Sequence, residues 1–284
     1  MNFKRFSSTR RMIIAISLLC SGVIIILGSC ALAFLGLLWG SILAIVSIVF
    51  LALFSIYCLS PLMKHYKRIV IEETLSSYTQ DIEYDKSRFN KEFCLQHPLF
   101  ELKKYYKTDY YFLSNYKGIN FEIGNVSTYD ELKDHKMYIK VYSFNGKVFS
   151  LPIETDEKAK ILIIEKKERH TSDKKRLSST PFVYEIKSKN EQFNELFEIF
   201  STSPDTNLDQ FVSFFIETIR KIKKVCAHRV SLLLADNRMY FSIDEQNSSF
   251  ELKLKNQVTS DDVNQLRKEY SPFFHLMDAL LEKK

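Results

Sequence analysis

The sequence predicts an α+β soluble domain, with mostly antiparallel strands and packing helices, attached to a two-helix transmembrane hairpin. Three features of the chain lead to this fold class. A long stretch near the N-terminus carries no charge, runs of alternating apolar and polar residues begin near residue 109, and two later segments repeat apolar residues at helical spacing. Alternation is typical of strands with one buried face, and steps of three and four residues are typical of helices that pack on one side.

The uncharged stretch runs from Met12 to Met63 and contains 52 residues. One helix needs about 20 residues to cross the hydrocarbon core of a bilayer, so the stretch is long enough for two spans and a turn. We place the spans at about residues 12–34 and 37–59, within a hairpin that covers residues 12–60.

Basic residues flank the uncharged stretch on both sides. Residues 1–11 form a basic arm with four Lys or Arg residues and no acidic residue, and Lys64 and Arg68 follow the stretch. Because positively charged flanks stay on the cytoplasmic side, we expect a multi-pass protein of the cytoplasmic (inner) membrane with both termini in the cytoplasm. Residues 61–84 would then form a juxtamembrane helical stalk, and residues 85–284 the cytoplasmic α+β domain.

A lipoprotein anchor is the alternative to this hairpin. The residues from Leu27 to Cys30 resemble a lipoprotein cleavage box, and lipidation of Cys30 would place the domain outside the cell. A mature lipoprotein usually continues with a polar tether, whereas residues 31–58 form a second apolar run. The sequence therefore favours two spans.

Short patterns predict the elements of the domain. The pair Asn145-Gly146 between two apolar runs predicts a hairpin with a type I′ turn, because the glycine supplies the positive φ that this turn needs. At Thr206 and Thr259 a threonine precedes an aspartate by three residues, which predicts two helix starts. The last helix is expected to pack on the domain's own sheet, with a coiled coil as the alternative, and to be interrupted at Pro272. Predicted strands cover residues 119–123, 137–144, 147–153, 161–164, 182–186, 197–200, 230–234, 239–243 and 250–254, with a turn at 236–237 and a short helix within 85–97.

Charge and motif content disfavour several classes of function. From Lys64 onwards the chain has 36 basic and 34 acidic residues, whereas nucleic-acid binding needs a clustered basic surface, so a nucleic-acid partner is not expected. The glycine-rich loops that cradle phosphates and the GxSxG nucleophile turn do not occur. Cysteines and histidines lack the spacing of metal ligands. We therefore predict no catalytic residue, no cofactor and no metal site.

The segment richest in lysine and tyrosine lies between residues 103 and 117. Lysines interleaved with aromatic rings suit single-stranded nucleic acid, an anionic membrane surface or a protein partner. The other interpretation is a loop whose tyrosines pack in the core while its lysines stay in water. The candidate contacts for a partner or membrane surface are Lys103, Lys104, Tyr105, Tyr106, Lys107, Tyr110 and Tyr111.

The order of several motifs resembles a known family. The matching segments are the paired spans, the runs Tyr84 to Phe93, His97 to Phe100 and Tyr116 to Ile123, and residues 191–201, 209–224 and 230–243. Together these motifs resemble the bacterial two-span membrane proteins catalogued as domain of unknown function 3137. The resemblance implies the architecture given above and implies no activity and no catalytic residue.

The function expected from these features is that of a membrane-anchored binding or scaffolding module. Its expected partners are the lipid bilayer and either another protein or a second copy of the chain. The alternative is a membrane-bound, hydrolase-like enzyme whose site is assembled from distant residues. A pocket with converging ionisable groups would favour the enzyme, and an exposed apolar or Lys/Tyr patch would favour binding.

Overall fold

The structure is a computed structural model, and its chain divides into two compact units. The first unit comprises Met1–Thr74 and Leu252–Val263, and the second comprises Leu75–Glu251 and Asn264–Lys284. In the first unit, residues 68–74 are helical and Arg68 pairs with Glu72 at 3.0 Å, one turn later. The residues that the structure describes are 22–23, 42, 45–46, 49, 68–79, 81–84, 89–134, 137–153, 159–166, 177, 180–206, 219, 222–223, 228–245 and 260–282.

The second unit is built on one nine-stranded sheet in which every neighbouring pair is antiparallel. The strand order is β1-β2-β3-β4-β9-β8-β5-β7-β6. The strands are β1 (Ile82–Tyr84), β2 (Tyr105–Tyr116), β3 (Ile119–Asp134), β4 (Met137–Pro152), β5 (Ile161–Glu165), β6 (Tyr184–Ile186), β7 (Phe197–Ser201), β8 (Arg229–Ala235) and β9 (Arg238–Asp244).

Three helices complete the elements with defined bounds: α1 (Lys91–Gln96), α2 (Glu191–Leu196) and α3 (Ser260–Leu281). The two short helices begin alike, because an asparagine side chain caps each N-terminus. Asn90 accepts a hydrogen bond from the Phe93 amide at 2.8 Å, and Asn190 accepts one from the Phe193 amide at 3.0 Å. Such caps satisfy amides that have no partner within the helix.

One face of the sheet carries an apolar row that α3 covers. Residues opposite each other in an antiparallel pair share a face, so the register places one residue from each strand in this row. From α3, the Phe273 ring lies 5.1 Å from Phe149 and 5.8 Å from Phe241, between centroids. These aromatic contacts confirm that α3 packs on the domain's own sheet. The row is Tyr84, Phe112, Ile123, Phe149, Phe241, Leu232, Ile163, Ile199 and Ile186.

The opposite face is covered by α1 and by the segment that follows it. Phe100 stacks on Phe144 at 4.1 Å, and Phe93 lies 5.0 Å from Tyr240. Gly124 lies beneath Phe89, because a Cβ added there would approach the Phe89 ring to 2.8 Å. The sheet is therefore buried on both faces around β4 and β9, and the core lies there.

The predicted Asn145-Gly146 hairpin is wrong. β4 runs without interruption through both residues, and Gly146 pairs with Asp244 of β9. A Cβ at Gly146 would lie 1.8 Å from the Ile243 carbonyl oxygen, so the glycine serves a close approach of two strands rather than a turn. The predicted turn at Asp236-Asn237 is confirmed, since both residues have positive φ, 54° and 56°.

The predicted fold class, an α+β domain on a transmembrane hairpin, is also wrong. The described chain is mostly antiparallel sheet with few helices, and its longest helix, α3, carries Arg267, Lys268 and Glu269 in mid-helix. Within the part of the chain that the structure describes, no helix is long and apolar enough to cross a membrane. Most of the predicted hairpin at 12–60 lies outside the described residues.

The predicted membrane location and the predicted placement of the termini depended on spanning helices, and they are corrected together with the fold class. Basic flanks orient a chain only where helices cross the bilayer. Without such helices in the described residues, the structure supports neither the multi-pass inner-membrane location nor the cytoplasmic placement of both termini. For the same reason, the described residues do not support the prediction that the chain is a membrane, cell-membrane or transmembrane-helix protein.

Of the other elements predicted from the sequence, some are present in the structure, some differ from the prediction, and some lie outside the described residues. The strands at 161–164, 197–200 and 239–243 are confirmed, and the predicted stalk ends in β1 instead of continuing as helix to residue 84. The helix after Thr206 falls outside the described residues apart from helical residues 219, 222 and 223, and strand 250–254 falls outside entirely.

Pro272 does not interrupt α3. A proline removes the backbone N–H that would bond to the carbonyl four residues earlier, here that of Lys268. The Ser271 hydroxyl donates to this carbonyl oxygen at 3.0 Å instead. The helix therefore continues to Leu281.

We expect Gly146→Ala to lower the free energy of unfolding by about 3 kcal/mol or more, because a new methyl group would meet strand backbone that cannot rotate away. Gly118→Ala is the matched control. Gly118 has open space around its Cβ position and a φ of 87°, so alanine there costs only about 1–2 kcal/mol of backbone strain. Urea denaturation of the full chain measures both, and equal losses would contradict the close-approach role.

Candidate functional site

β3 and β4 extend beyond the strands that flank them. Pairing of β2 with β3 ends at Tyr105 opposite Tyr129, and pairing of β4 with β9 begins only at Gly146. The β3–β4 pairing nevertheless continues to Asp134 opposite Met137. Residues 129–134 and 137–142 thus form a two-stranded projection. Among the described strands, β2 reaches only its first residue, Tyr129, and β9 does not reach it. We call this projection the ribbon.

The base of the ribbon is fixed by polar contacts around a β-bulge. Register shifts between Thr128 and Tyr129, and β4 contributes the additional residue Ser143. The Ser143 hydroxyl donates to the Glu101 carbonyl at 2.7 Å, and the Lys103 amide donates to the Thr128 hydroxyl at 2.6 Å. Bulges bend and twist a strand pair, so the ribbon diverges from the sheet at the bulge, where these hydrogen bonds fix the backbone.

One face of the ribbon is apolar and exposed. The register places Leu132 beside Ile139, Val141 two pairs nearer the base and Met137 two pairs nearer the tip, all on the same face, with Asp130 opposite Val141. Their exposed fractions are 58% for Leu132, 47% for Ile139, 45% for Val141 and 72% for Met137. Single exposed apolar residues are common on protein surfaces, but a contiguous apolar patch marks a contact site.

The other face of the ribbon is a ladder of tyrosines with lysines. Tyr129 stacks on Tyr105 of β2 at 5.3 Å and lies 5.2 Å from Tyr142 of β4. The Lys140 ammonium lies 4.8 Å from the Tyr129 ring centroid, and the pKa of Lys140 is raised, first by Tyr129. The Lys104 ammonium lies 5.2 Å from the Tyr105 ring. Such contacts hold cations over aromatic faces that remain partly open to solvent.

The structure brings only some of the sequence-predicted contacts to this surface. Lys104 and Tyr105 lie on the tyrosine ladder, and Lys103 lies at the base of the ribbon, paired with Glu101 at 2.8 Å. Lys107 is exposed on β2, and the Tyr110 side chain lies outside the described part of the chain.

Two of the predicted contacts face the core, where Tyr111 is buried and Tyr106 is half-buried. The Tyr106 hydroxyl donates to the Phe89 carbonyl oxygen. Cys94 Sγ lies 3.3 Å from the Tyr106 hydroxyl oxygen. Burial raises the pKa of the Cys94 thiol to about 12, so this cysteine is held as a thiol. The Tyr111 ring packs edge-on against Phe89 at 5.7 Å.

Sequence reasoning missed most of the ribbon. Its signal is present in the run from Met137 to Tyr142, where apolar residues alternate with tyrosine and lysine. This alternation predicts an ordinary half-buried strand, because aliphatic side chains at every second position usually face a core. The missed residues are Tyr129, Leu132, Met137, Tyr138, Ile139, Lys140, Val141 and Tyr142.

A buried charge centre joins β4 to α3. Lys147 is only 1% exposed, and its ammonium donates to Glu245 and, at 2.9 Å, to Glu269 of α3. Glu245 Oε2 and Arg267 Nε are buried atoms for which the described residues offer no hydrogen bond. Burial of two charges costs desolvation free energy that offsets much of their attraction, so an enclosed ion pair is weak evidence of a gain in stability. Lys147 and Glu245 are closed to solvent, whereas the Glu269 side chain is 17% exposed.

A second polar cluster lies at the end of the β8–β9 hairpin. Asp236 Oδ2 is 3.0 Å from the Lys160 ammonium and 3.3 Å from His97 Nε2. The Lys160 contact, and then that of His97, hold the pKa of Asp236 below its usual value. His97 Nδ1 lies 3.0 Å from the Phe93 carbonyl oxygen. Each ring nitrogen of His97 therefore has an oxygen atom within 3.3 Å, and these two contacts orient the ring.

A cleft of about 390 Å³ opens beside β1 and the β2–β3 turn. Its charged lining consists of Asp81, Glu83, Glu122 and Arg238. Glu122, the buried carboxylate among them, accepts from Arg238 at 3.0 Å, and Arg238 Nε also donates to Ser150 at 3.0 Å. Within this cleft, Glu122 and Arg238 therefore satisfy each other.

The buried charge centre predicts the direction in which the free energy of unfolding changes with pH. Burial raises the pKa of Glu269, and the Lys147 charge opposes that effect. A raised carboxyl pKa in the folded state stabilises the fold fully below the unfolded pKa, and this contribution disappears as pH rises through the folded value. We expect wild type to lose free energy of unfolding relative to Glu269→Gln between about pH 4 and pH 7.

Urea denaturation across this pH range measures the difference. Glu195→Gln, on the exposed side of α2, controls for removal of one charge. Lys147→Met should cost about 3–5 kcal/mol at neutral pH, because it leaves two carboxylates without their cation. Parallel pH profiles for wild type and Glu269→Gln would contradict the assignment.

Comparison with known proteins places the chain in a family. The family described as "Protein of unknown function (DUF3137)" matches residues 142–283, half of the chain. No curated protein matches the chain. The crystal structure of the mycobacterial trehalose monomycolate transport factor A, TtfA, covers 73% of this chain and 92% of its own, at 10% identity and a TM-score of 0.32. A similarity at that level says nothing about function here. The matched half contains β5–β9, α3 and the core part of β4, and the chain belongs to the DUF3137 family.

Proposed function

We propose that the chain is a binding module that contacts a protein partner through the ribbon. The observation that carries the proposal is the exposed apolar face of Leu132, Met137, Ile139 and Val141. Water-exposed aliphatic side chains on a projecting two-stranded element contribute nothing to the core of the sheet. Patches of this kind are typical of surfaces that another molecule covers.

The state of the ionisable groups supports binding over catalysis. Lys147 is enclosed with its carboxylates, His97 has an acceptor at each ring nitrogen, and Glu122 is paired with Arg238. A hydrolase-like site needs an acid, base or nucleophile that faces a substrate with a free proton or lone pair. The ribbon instead offers shape, apolar area and cations, which are the components of recognition.

The energetics favour a partner that touches more than the apolar face. Full burial of one large aliphatic side chain is worth about 1.5–3 kcal/mol, and these four are already about half covered. The apolar face then contributes on the order of 4 kcal/mol, whereas association costs about 4–15 kcal/mol in lost freedom. The tyrosine ladder or the strand edges must therefore take part in the complex.

A photo-reactive amino acid in place of Tyr138, which is 68% exposed at the tip, tests this proposal. In cells that produce the full chain, we expect irradiation to cross-link this position to a protein. The same group at Leu196, 61% exposed on α2, is the matched control and should give little cross-linking. Adding Ile139→Asp should reduce the Tyr138 cross-link about tenfold, since a carboxylate would be placed on the apolar face.

The identity of the cross-linked species decides the outcome. Protein adducts at Tyr138 that Ile139→Asp removes, and that Leu196→Asp leaves unchanged, support a protein-binding ribbon. Adducts to lipid alone, or equal yields at positions 138 and 196, would overturn it. Adducts between two copies of the chain would identify the partner as a second copy.

A further inference from the structure

The outer edge of β4 in the ribbon is the feature that points to a particular kind of partner. We propose that an extended peptide segment, in which acidic and apolar residues alternate, adds to this edge as a further strand. The inference rests on the proposed function and names the class of partner for the same ribbon. Strand addition pairs the backbone groups of an open edge and selects side chains by their alternation.

The β4 edge lacks the features that usually prevent such pairing. Natural sheets protect their edges with very short strands, prolines, bulges or charges. From Met137 to Tyr142 the strand has neither proline nor glycine and only one charge, Lys140. Among the described residues, no strand pairs with β4 on this side before Gly146.

The other open edges are protected. The outermost strands β1 and β6 are only three residues long. The outer edge of β3 in the ribbon, residues 130–134, carries four charged residues in a run of five. β4 therefore presents the long, open and weakly charged edge of the described sheet.

The side chains beside this edge define the sequence that an added strand would need. On one face the neighbours are Met137, Ile139 and Val141, which favour apolar residues. On the other face the neighbours are tyrosines and Lys140. The register places Glu131 of β3 opposite Lys140, and the open β4 edge lets a carboxylate of an added strand approach the same ammonium from the other side. Because successive residues of a strand point to opposite faces, the matching peptide alternates acidic and apolar residues.

A second copy of β4 is a poorer match for this edge. If two copies pair about a two-fold axis at Lys140, like charges face each other. If the axis passes through Ile139 or Val141, each lysine faces a tyrosine and gains no carboxylate beyond Glu131 of its own ribbon, because residues 137–144 include no acidic residue. Charge complementarity therefore favours an acidic partner over self-pairing.

Three synthetic peptides of eight residues with blocked ends test the proposal on the full chain. The first alternates Glu and Val, the second has the same composition with four Glu before four Val, and the third alternates Lys and Val. We expect the first peptide to slow hydrogen exchange at alternate amides between Met137 and Ser143, and to leave the β6 edge unchanged. The second and third should bind at least about tenfold more weakly, because they lack the alternation or the charge.

Charge reversal provides the matched variant. Lys140→Glu should reduce affinity for the Glu–Val peptide about tenfold and increase affinity for the Lys–Val peptide, since the cross-strand pair is reversed. Lys187→Glu, at an exposed position just after β6, should change neither affinity. Unchanged urea midpoints for both variants would show that the fold is intact.

The outcomes separate this inference from the function that it depends on. Equal binding of the alternating and rearranged acidic peptides, or protection that appears at β6 instead of β4, would overturn strand addition. If the Tyr138 cross-link forms but the Glu–Val peptide protects no β4 amide, only strand addition fails. If the cross-link to protein is absent, the binding function itself fails.

Discussion

Pairing between β4 and β9 joins the two halves of the sheet, and it depends on the absence of a side chain at Gly146. Strands β1 to β3 reach β5 to β8 only through this pair. At Gly146 the Ile243 carbonyl occupies the space where a Cβ would lie. The next residue, Lys147, then turns beneath α3 and meets two carboxylates there. N-terminal to Gly146 the contact with β9 ends at Asn145, whose amide donates to the Asp244 carboxylate at 3.2 Å, and β4 leaves the core beyond the buried Phe144.

This division of one strand separates two kinds of interaction. The C-terminal half of β4 is buried between α3 and α1, where close packing and enclosed charges define a single arrangement. The N-terminal half exposes aliphatic side chains on one face and tyrosines with lysine on the other. The proposed binding surface therefore lies on the ribbon, which is attached to the core at one end only. Substitutions on this surface do not require repacking of the interior.

The sequence predicted elements well where one pattern had one structural meaning. Alternation at 161–164 and 239–243 identified real strands, and Asp236-Asn237 identified a real turn. It failed at Asn145-Gly146, because glycine permits both a positive φ and a close backbone approach, and the pattern does not distinguish them. The family resemblance was correct, and the transmembrane hairpin that accompanied it was not supported by the structure.

The ribbon was beyond sequence reasoning for a different reason. Whether aliphatic residues at alternate positions of β4 are buried depends on how far β2 and β9 extend beside it, and strand lengths come from the register of the whole sheet. Of the seven predicted contacts, Tyr111 is buried and Tyr106 is half-buried, because both contact Phe89, which covers this part of β2. Composition alone did not indicate which tyrosines of that segment face outwards.

The bulge at Thr128 and Tyr129 has a thermodynamic consequence. Beyond it the ribbon has one described partner strand per strand and no covering layer, and an isolated two-stranded hairpin is only marginally stable in water. Its pairing can therefore open locally while the nine-stranded sheet stays folded. A partner that binds the ordered ribbon must offset the entropy of that ordering, so affinity and global stability are set by different parts of the same strand.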